Sequence, residues 1–572
     1  MDEAKEAALP TPSDLEIARA ARPRPIVEIA SGLGIPRQAL RMYGDQVAKV
    51  LPEDLSPARP GGARYVLVTA VTPTPLGEGK TTTAVGLAQA LCRRGRRAVV
   101  TLRQPSLGPT FGLKGGAAGG GYSQVIPMED LNLHLTGDFH AVTAANNLAA
   151  ALVDAHLFHG NHLGISEEDI PWRRVLDVND RPLREVTIGL GRRTDGIPRR
   201  TGFDITAASE VMAILALATD LADLRRRLGQ AVVAYTGDGL PVTADQVGAG
   251  GSMAVLLKDA LAPNLLQTLE GTPALVHAGP FANIAHGSSS ILADLVALRG
   301  ADYVVTEAGF GADIGAEKFF NIKCRVSGLR PDAAVVVTTV RAMKAQTGRY
   351  RISPGRPIPV EMSAEDPDEV VAGADNLRRH VAIVRRHGVN PVVAINHFPT
   401  DHPSEHAAIG TVCDDLGVPW AACDPHGSGG AGVTDLARRV EEACAAPPAF
   451  RHLYPDDLSL RAKIETIASE VYGAGAVTFE EPAARALDRF EGLGWGRLPV
   501  CMAKTHLSLT HDPAVRGAPT GWTLPVRTAR ASVGAGFVLA LAGEIRTMPG
   551  LGSHPAAHGI DLDADGNIVG LS

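Results

Sequence analysis

Cysteine is sparse in this chain. Six of 572 residues are cysteine (Cys92, Cys324, Cys413, Cys423, Cys444, Cys501), with no C-x-x-C pair, which excludes the common zinc and thiol-exchange motifs and predicts buried, unreactive thiols. Long apolar runs are also missing: Val211–Ala218, among the greasiest stretches, falls far short of the roughly 18 residues that span a bilayer. Met1–Glu6 carries no basic n-region followed by an apolar segment, so the expectation is a cytoplasmic protein with no membrane partner. Positive charge is not in excess: the net charge is −7, which argues against a nucleic-acid surface. Lysine is the scarcest common charge, with ten against 45 arginines, so each position that keeps a lysine is informative.

What is present is ordinary globular material. At roughly 100–200 residues per domain the chain should hold three or four compact units. Its 62 glycines and 40 prolines are spread along the length, so it is neither collagen-like nor disordered. Ser13-Asp14-Leu15-Glu16 fits a helix capping box and opens a helical lead-in over residues 1–60. The run 64–71 reads as a buried strand, 81–94 as a helix and 98–102 as a second strand, a βαβ unit. Strand candidates recur at 231–235, 274–277, 303–306, 333–338 and 391–395 between helical stretches such as 208–228. This alternation predicts an α/β protein with a mostly parallel sheet of the P-loop NTPase type in a large N-terminal domain, 1–330. Two smaller α/β domains are expected at 331–450 and 451–572, the last from helical patterns at 460–472 and 480–493 and a glycine-rich tail.

Between the first βαβ strand and its helix lies Thr72-Pro73-Thr74-Pro75-Leu76-Gly77-Glu78-Gly79-Lys80-Thr81-Thr82-Thr83. Backbone amides and a helix N-terminus at such a turn can cradle phosphates. Gly79-Lys80-Thr81 matches the end of a P-loop, while Thr74 stands where the usual spacing has its first glycine. Thr74 through Thr82 are therefore the expected ATP-binding residues; Lys80 would reach the terminal phosphates and Thr81 would hold Mg²⁺. The second strand ends in Arg103-Gln104-Pro105-Ser106. Ligands of open parallel sheets bind at carboxyl ends of strands, so Arg103 should face the crevice, either binding a carboxylate or phosphoryl group or forming a structural ion pair.

Taken with Pro73–Thr83, the long segments Pro105–Asp138, Thr201–Gly229, Leu256–Glu270, Gly279–Gly287 (GPFANIAHG), Thr306–Arg325 (TEAGFGADIGAEKFFNIKCR), Leu498–Thr505 (LPVCMAKT), Gly534–Phe537 and Thr547–Leu551 (TMPGL) carry a resemblance. The chain resembles the formate–tetrahydrofolate ligase (formyltetrahydrofolate synthetase) family over nearly its whole length. The resemblance implies ATP-dependent phosphorylation of formate, then transfer of the formyl group to an amine nitrogen of tetrahydrofolate. Lys80 and Thr81 would hold ATP and Mg²⁺, and Arg103 would bind formate and then the acyl phosphate. Lys114, Asp138, Glu307, Asp313, Glu317 and Lys318 are second-rank candidates from the matching segments. A homotetramer activated by a monovalent cation, K⁺ or NH₄⁺, is also implied.

The departures from the family pattern cluster at its folate positions. Gln104 stands where the family has Glu, an amide in place of a carboxylate. Asn396-His397-Phe398 keeps the phenylalanine expected on one face of the pterin, but His426-Gly427-Ser428-Gly429-Gly430 replaces a turn that carries a tryptophan, so an imidazole stands for an indole. Ala278, Ser289, Gln346-Thr347-Gly348 and His506-Leu507-Ser508 also differ. Besides the ligase itself, this unevenness leaves open a paralogue that activates formate, or a similar small carboxylate, for a non-folate acceptor, and a non-catalytic ATP-binding scaffold.

Overall fold

The computed structural model describes residues 12–55, 62–112, 118–352, 358–543 and 545–571. Its centre is one sheet of twelve strands. In chain order these are β1 (Leu40–Tyr43), β2 (Val47–Val50), β3 (Arg64–Ala70), β4 (Ala98–Leu102), β5 (Gly119–Gly120), β6 (Ser123–Ile126), β7 (Asn264–Thr268), β8 (Pro273–Val276), β9 (Tyr303–Glu307), β10 (Ala333–Thr338), β11 (Asn390–Asn396) and β12 (Trp420–Cys423). Across the sheet the order is β1-β2-β7-β8-β4-β9-β3-β10-β11-β12, with β6 on β7 and β5 on β6. Pairings from β8 to β12 are all parallel, and those of the other edge are antiparallel. Strands such as β10, Ala-Ala-Val-Val-Val-Thr, are buried throughout, as strands covered on both faces must be.

The expected βαβ unit is present, but its two strands are not neighbours, because β9 inserts between β3 and β4 and pairs with both. The crossover helix, Lys80–Arg93, buries Val85, Leu87, Ala88 and Leu91 against the sheet. Four helices matter below: α1 (Asp14–Ala20), α2 (Lys80–Arg93), α3 (Asp138–Phe158) and α4 (Pro403–Asp415). The capping box at Ser13 and Glu16 forms as expected.

Several expectations need correction. The boundary at 330/331 falls inside the sheet: β10 pairs with β3 on one side and β11 on the other, so residues 331–450 extend the main sheet instead of building a separate one. A buried strand needs a hydrogen-bonding neighbour at each edge, and β3 and β11 supply them. The lead-in is not only helical, since β1 and β2 form a hairpin on the sheet's antiparallel edge. The stretch 208–228 is two helices, Glu210–Leu217 and Leu221–Gln230, because the Asp220 side chain caps the second by accepting from Asp223 N. The 231–235 strand pairs antiparallel with Pro241–Thr243, away from the main sheet.

Residues 451–571 add helices Leu460–Ile467 and Glu481–Gly492 and a three-stranded sheet in which Val500–Ala503 and Thr528–Ser532 flank Phe537–Leu541. Their apolar residues, among them Val500 and Met502, join the same core as β3 and β9. All six cysteines are unpaired, and all but Cys92 are buried. Among the described residues no helix is long and apolar enough to cross a membrane.

Candidate active site

Because β3, β4, β9, β10, β11 and β12 run parallel, their carboxyl ends lie on one side of the sheet, and the candidate residues follow several of them there. The 74–79 loop follows β3. Inside it Glu78 folds back, its Oε1 accepting from Thr74 N at 2.7 Å and from Thr74 Oγ1 at 3.0 Å. Thr74 thus shapes the loop, and its amide is spent on Glu78. Gly79 has φ +72°, and a Cβ there would lie 2.3 Å from Asn396 Nδ2, so both backbone and space require glycine. Asn396, at the end of β11, donates to Glu78 O at 3.1 Å and braces the loop from behind.

α2 starts at Lys80, and Thr83 N and Oγ1 both donate to Gly79 O. The first-turn amides thereby remain directed at the crevice, where a helix N-terminus favours an anion. Thr81 Oγ1 donates to Glu307 Oε2 at 2.7 Å, and Glu307 Oε1 lies 3.8 Å from Arg103 Nε. Three neighbouring elements are joined through one carboxylate. Glu307 is only 3% exposed, whereas the Arg103 side chain is 26% exposed. Arg103 donates to Pro280 O at 3.3 Å, and its buried Nε has no hydrogen-bond partner.

Arg103 forms part of the wall of a cavity of about 740 Å³, also lined by Phe281, Phe310, His506, Arg527 and Arg546. Phe310 stacks on His506 with ring centroids 4.3 Å apart. Phe310 (φ +62°) and Ala278 (φ +53°) occupy left-handed backbone, unusual for residues with a Cβ and common where a ligand is held. Ala278 O accepts from Gln104 N at 2.7 Å. Gln104 itself is buried, and its Oε1 has no partner.

His286 is the residue that sequence reasoning passed over. It is fully buried, and burial together with the nearby Lys323 and Arg103 cations pushes its pKa well below the ordinary imidazole value. A neutral imidazole near Arg103 can donate or accept a hydrogen bond. Its only sequence signal was a place in the GPFANIAHG segment.

The second-rank candidates divide. Glu307 belongs to the site. Asp313 pairs with Lys504 at 2.7 Å, both fully buried, and Lys504 also donates to Ser508 O. Lys318 donates to the carbonyls of Ala282 and Asn283 and so fixes a wall of the cavity. Glu317 accepts from Asn321 Nδ2, and burial raises its pKa to about 7. Asp138 is paired with Lys49 at 2.8 Å and accepts from Asn264. These buried groups hold loops in place. Lys114 lies outside the described residues.

Phe398 and His426 follow β11 and β12. Phe398 carries the Arg341 guanidinium over its ring at 3.4 Å. Burial lowers the pKa of Arg341. His426 is half exposed, its Nε2 lies 3.6 Å from Asp14 Oδ1 of α1, and that hydrogen-bonding carboxylate raises its pKa. Among the described residues no ring contact joins Phe398 to His426. The donors fit Mg²⁺, which prefers oxygen, at Thr81 and Glu307.

Comparison with known proteins agrees with the geometry. The family model for formate–tetrahydrofolate ligase matches residues 12–572. The chain is similar to the formate–tetrahydrofolate ligase of Saccharopolyspora erythraea, 62% identical over 98% of this chain and 100% of that protein. It is also similar to formate–tetrahydrofolate ligase 1 of Rubrobacter xylanophilus, at 60% identity over 98% of this chain and 99% of that one. The ligase of Cutibacterium acnes is 58% identical, over 98% of this chain and 100% of that protein.

Proposed function

The chain belongs to the formate–tetrahydrofolate ligase family, and from that premise we propose how its own residues make formyltetrahydrofolate from formate, ATP and tetrahydrofolate. A formate oxygen attacks the γ-phosphorus of ATP, ADP leaves, and formyl phosphate results. An amine nitrogen of tetrahydrofolate then attacks the formyl carbon, the C–O bond to phosphate breaks, and the amine loses its proton. Phosphorylation is needed because formate is an unreactive carboxylate without a leaving group.

The observation that carries this reading is the Thr81–Glu307–Arg103 chain at the ends of β3, β4 and β9. It sets a nucleotide-binding turn beside a cation suited to a small carboxylate. Lys80 and the first-turn amides of α2 bind the phosphates. Thr81 and Glu307 would hold Mg²⁺, which when bound neutralises charge between the phosphates. Arg103 orients formate in line with the γ-phosphate and stabilises the negative charge that gathers on the transferring group. The 740 Å³ cavity beside Arg103 gives room for the formyl phosphate and for the part of the acceptor that reaches it. Phe398 and His426 flank the acceptor's ring, and Gln104 offers its unpaired Oε1 to a donor.

Family membership at this identity favours tetrahydrofolate as acceptor, and nothing found supports a different acceptor or a non-catalytic scaffold. Homotetramer formation, activation by K⁺ or NH₄⁺ and a cytoplasmic setting are proposed from the family resemblance alone; light scattering after size exclusion tests the first. The decisive experiment measures formate-dependent ADP release with and without tetrahydrofolate, using Lys80→Ala as the control. Formate-dependent turnover that requires tetrahydrofolate and falls by about 100-fold or more in the variant is the expected result.

A further inference from the structure

Where β11 ends, the chain makes a tight excursion before entering α4, and it carries three ligating side chains within ten residues. His406 Nε2 lies 3.1 Å from Asp401 Oδ2, His397 Nδ1 lies 4.0 Å from the same oxygen, and all three ligand atoms fall within 4.8 Å of one another. We propose that His397, Asp401 and His406 form a binding site for a late first-row divalent cation, with zinc the best match.

The spacing is that of a site one short adjustment from closure. Around tetrahedral zinc, bonds of about 2.0–2.1 Å place ligand atoms about 3.4 Å apart. The His406–Asp401 separation is already in that range, and turning the His397 ring closes the wider gap. His397 has the freedom to turn, being 39% exposed, while His406 is 16% and Asp401 1% exposed. The carboxylate is held in place: Asp401 Oδ2 accepts from Phe398 N at 3.0 Å, and Asp401 N donates to Phe398 O at 2.9 Å. At the other end His397 N donates to Cys423 O on β12, and a capping box from His402 and Glu405 starts α4. Backbone bonds thus fix the Asp401 carboxylate independently of any ion.

The donor set selects the cation class. Two imidazoles and one carboxylate suit zinc and its first-row neighbours, whereas Mg²⁺, Ca²⁺ and K⁺ prefer oxygen. The site is therefore chemically distinct from the Thr81–Glu307 pair. Nearby groups do not complete the sphere. Glu405 is committed to Lys344 at 2.5 Å and to the amides of Asp366 and His402. His402 Nδ1 lies 4.0 Å from Glu365 instead. The remaining positions fall to water, reached from the exposed His397 side. Arg341, close enough to feel the Asp401 charge, opposes the cation and limits its affinity. An ion bound here would clamp the turn that carries Phe398, since both backbone polar groups of Phe398 are bonded to Asp401.

The test uses the full chain, dialysed against a chelator, then titrated with Co²⁺ followed by absorbance and with Zn²⁺ by calorimetry. One Co²⁺ per chain should give ligand-field bands without a thiolate charge-transfer band, because no cysteine is in the set. His397→Gln and His406→Gln should each weaken Zn²⁺ binding by at least about tenfold, with circular dichroism of the metal-free proteins unchanged. If one variant is misfolded, the other carries the comparison. Undetectable binding, a thiolate band, or unaltered affinity in a folded variant overturns the proposal.

Discussion

Thr81 and Glu307, 226 residues apart in the chain, share a hydrogen bond of 2.7 Å that ties the first turn of α2 to the end of β9. A hydroxyl and a buried carboxylate so placed match the pair that P-loop enzymes use for Mg²⁺. Replacing Glu307 with Gln keeps a hydrogen-bond acceptor but removes the charge. The Mg²⁺ concentration giving half-maximal ADP formation should rise by about tenfold or more, with ATP binding in the absence of metal little changed. An unaltered Mg²⁺ dependence would place the ion elsewhere.

Arg103 should govern the carboxylate step. Its guanidinium forms part of the cavity wall and makes few bonds within the protein, so Arg103→Ser costs the fold little. The lost charge-assisted contact, about 1.5–3 kcal/mol, predicts a rise of about 10- to 100-fold in the formate requirement, with ATP affinity nearly unchanged. A fall in ATP affinity with an unmoved formate KM would assign Arg103 to the nucleotide.

His426→Trp tests the acceptor side. The exposed pairing with Asp14 is worth little, while an indole adds stacking surface of about 0.5–1.5 kcal/mol. Tetrahydrofolate should bind about 2- to 10-fold more tightly by calorimetry. Equal or weaker binding would remove His426 from the acceptor site.

Glu317 supplies a pH signature. Burial raises its carboxyl from 4.5 to about 7, so over that window the folded protein keeps a proton that the unfolded chain releases. Its contribution to stability is present at low pH, declines as pH rises through the window and is level above it. At about 1.4 kcal/mol per pH unit the decline is roughly 3 kcal/mol. Glu317→Gln retains the acceptor for Asn321 and should lack this decline. His277, His380 and His387, lowered to about 4 by burial, act with the opposite sign below neutrality, but they do so in both proteins. Denaturant unfolding from pH 4.5 to 8 checks the difference between the two proteins. Parallel curves would refute the assignment.

The parts of this structure that obey local rules were legible in the sequence. β3, β4 and β10 announce themselves as short β-branched runs, the turn before α2 by Gly79-Lys80-Thr81, and α1 by its capping box. What could not be read was partnership. No local pattern says that β9 separates β3 from β4, that β10 lies against β3, or that Glu307 and not a nearer carboxylate meets Thr81. For the same reason Asp313, Glu317 and Lys318 looked like crevice residues, although Asp313 is paired with Lys504, Lys318 is bonded to backbone carbonyls and burial disfavours the Glu317 charge. His286 was invisible because its burial near Arg103 and Lys323 is a matter of packing.

β3 leads into the turn before α2 and is complete only when both its neighbours have arrived. One of them, β9, ends at Glu307 and the other, β10, at Thr338. During synthesis from the N-terminus, the strand that positions Lys80 therefore waits through more than 260 further residues, an apolar edge open to wrong partners in the meantime. The turn before α2 is thus made long before the strands that hold it in place. A nascent chain halted anywhere before β10 should be unable to build it.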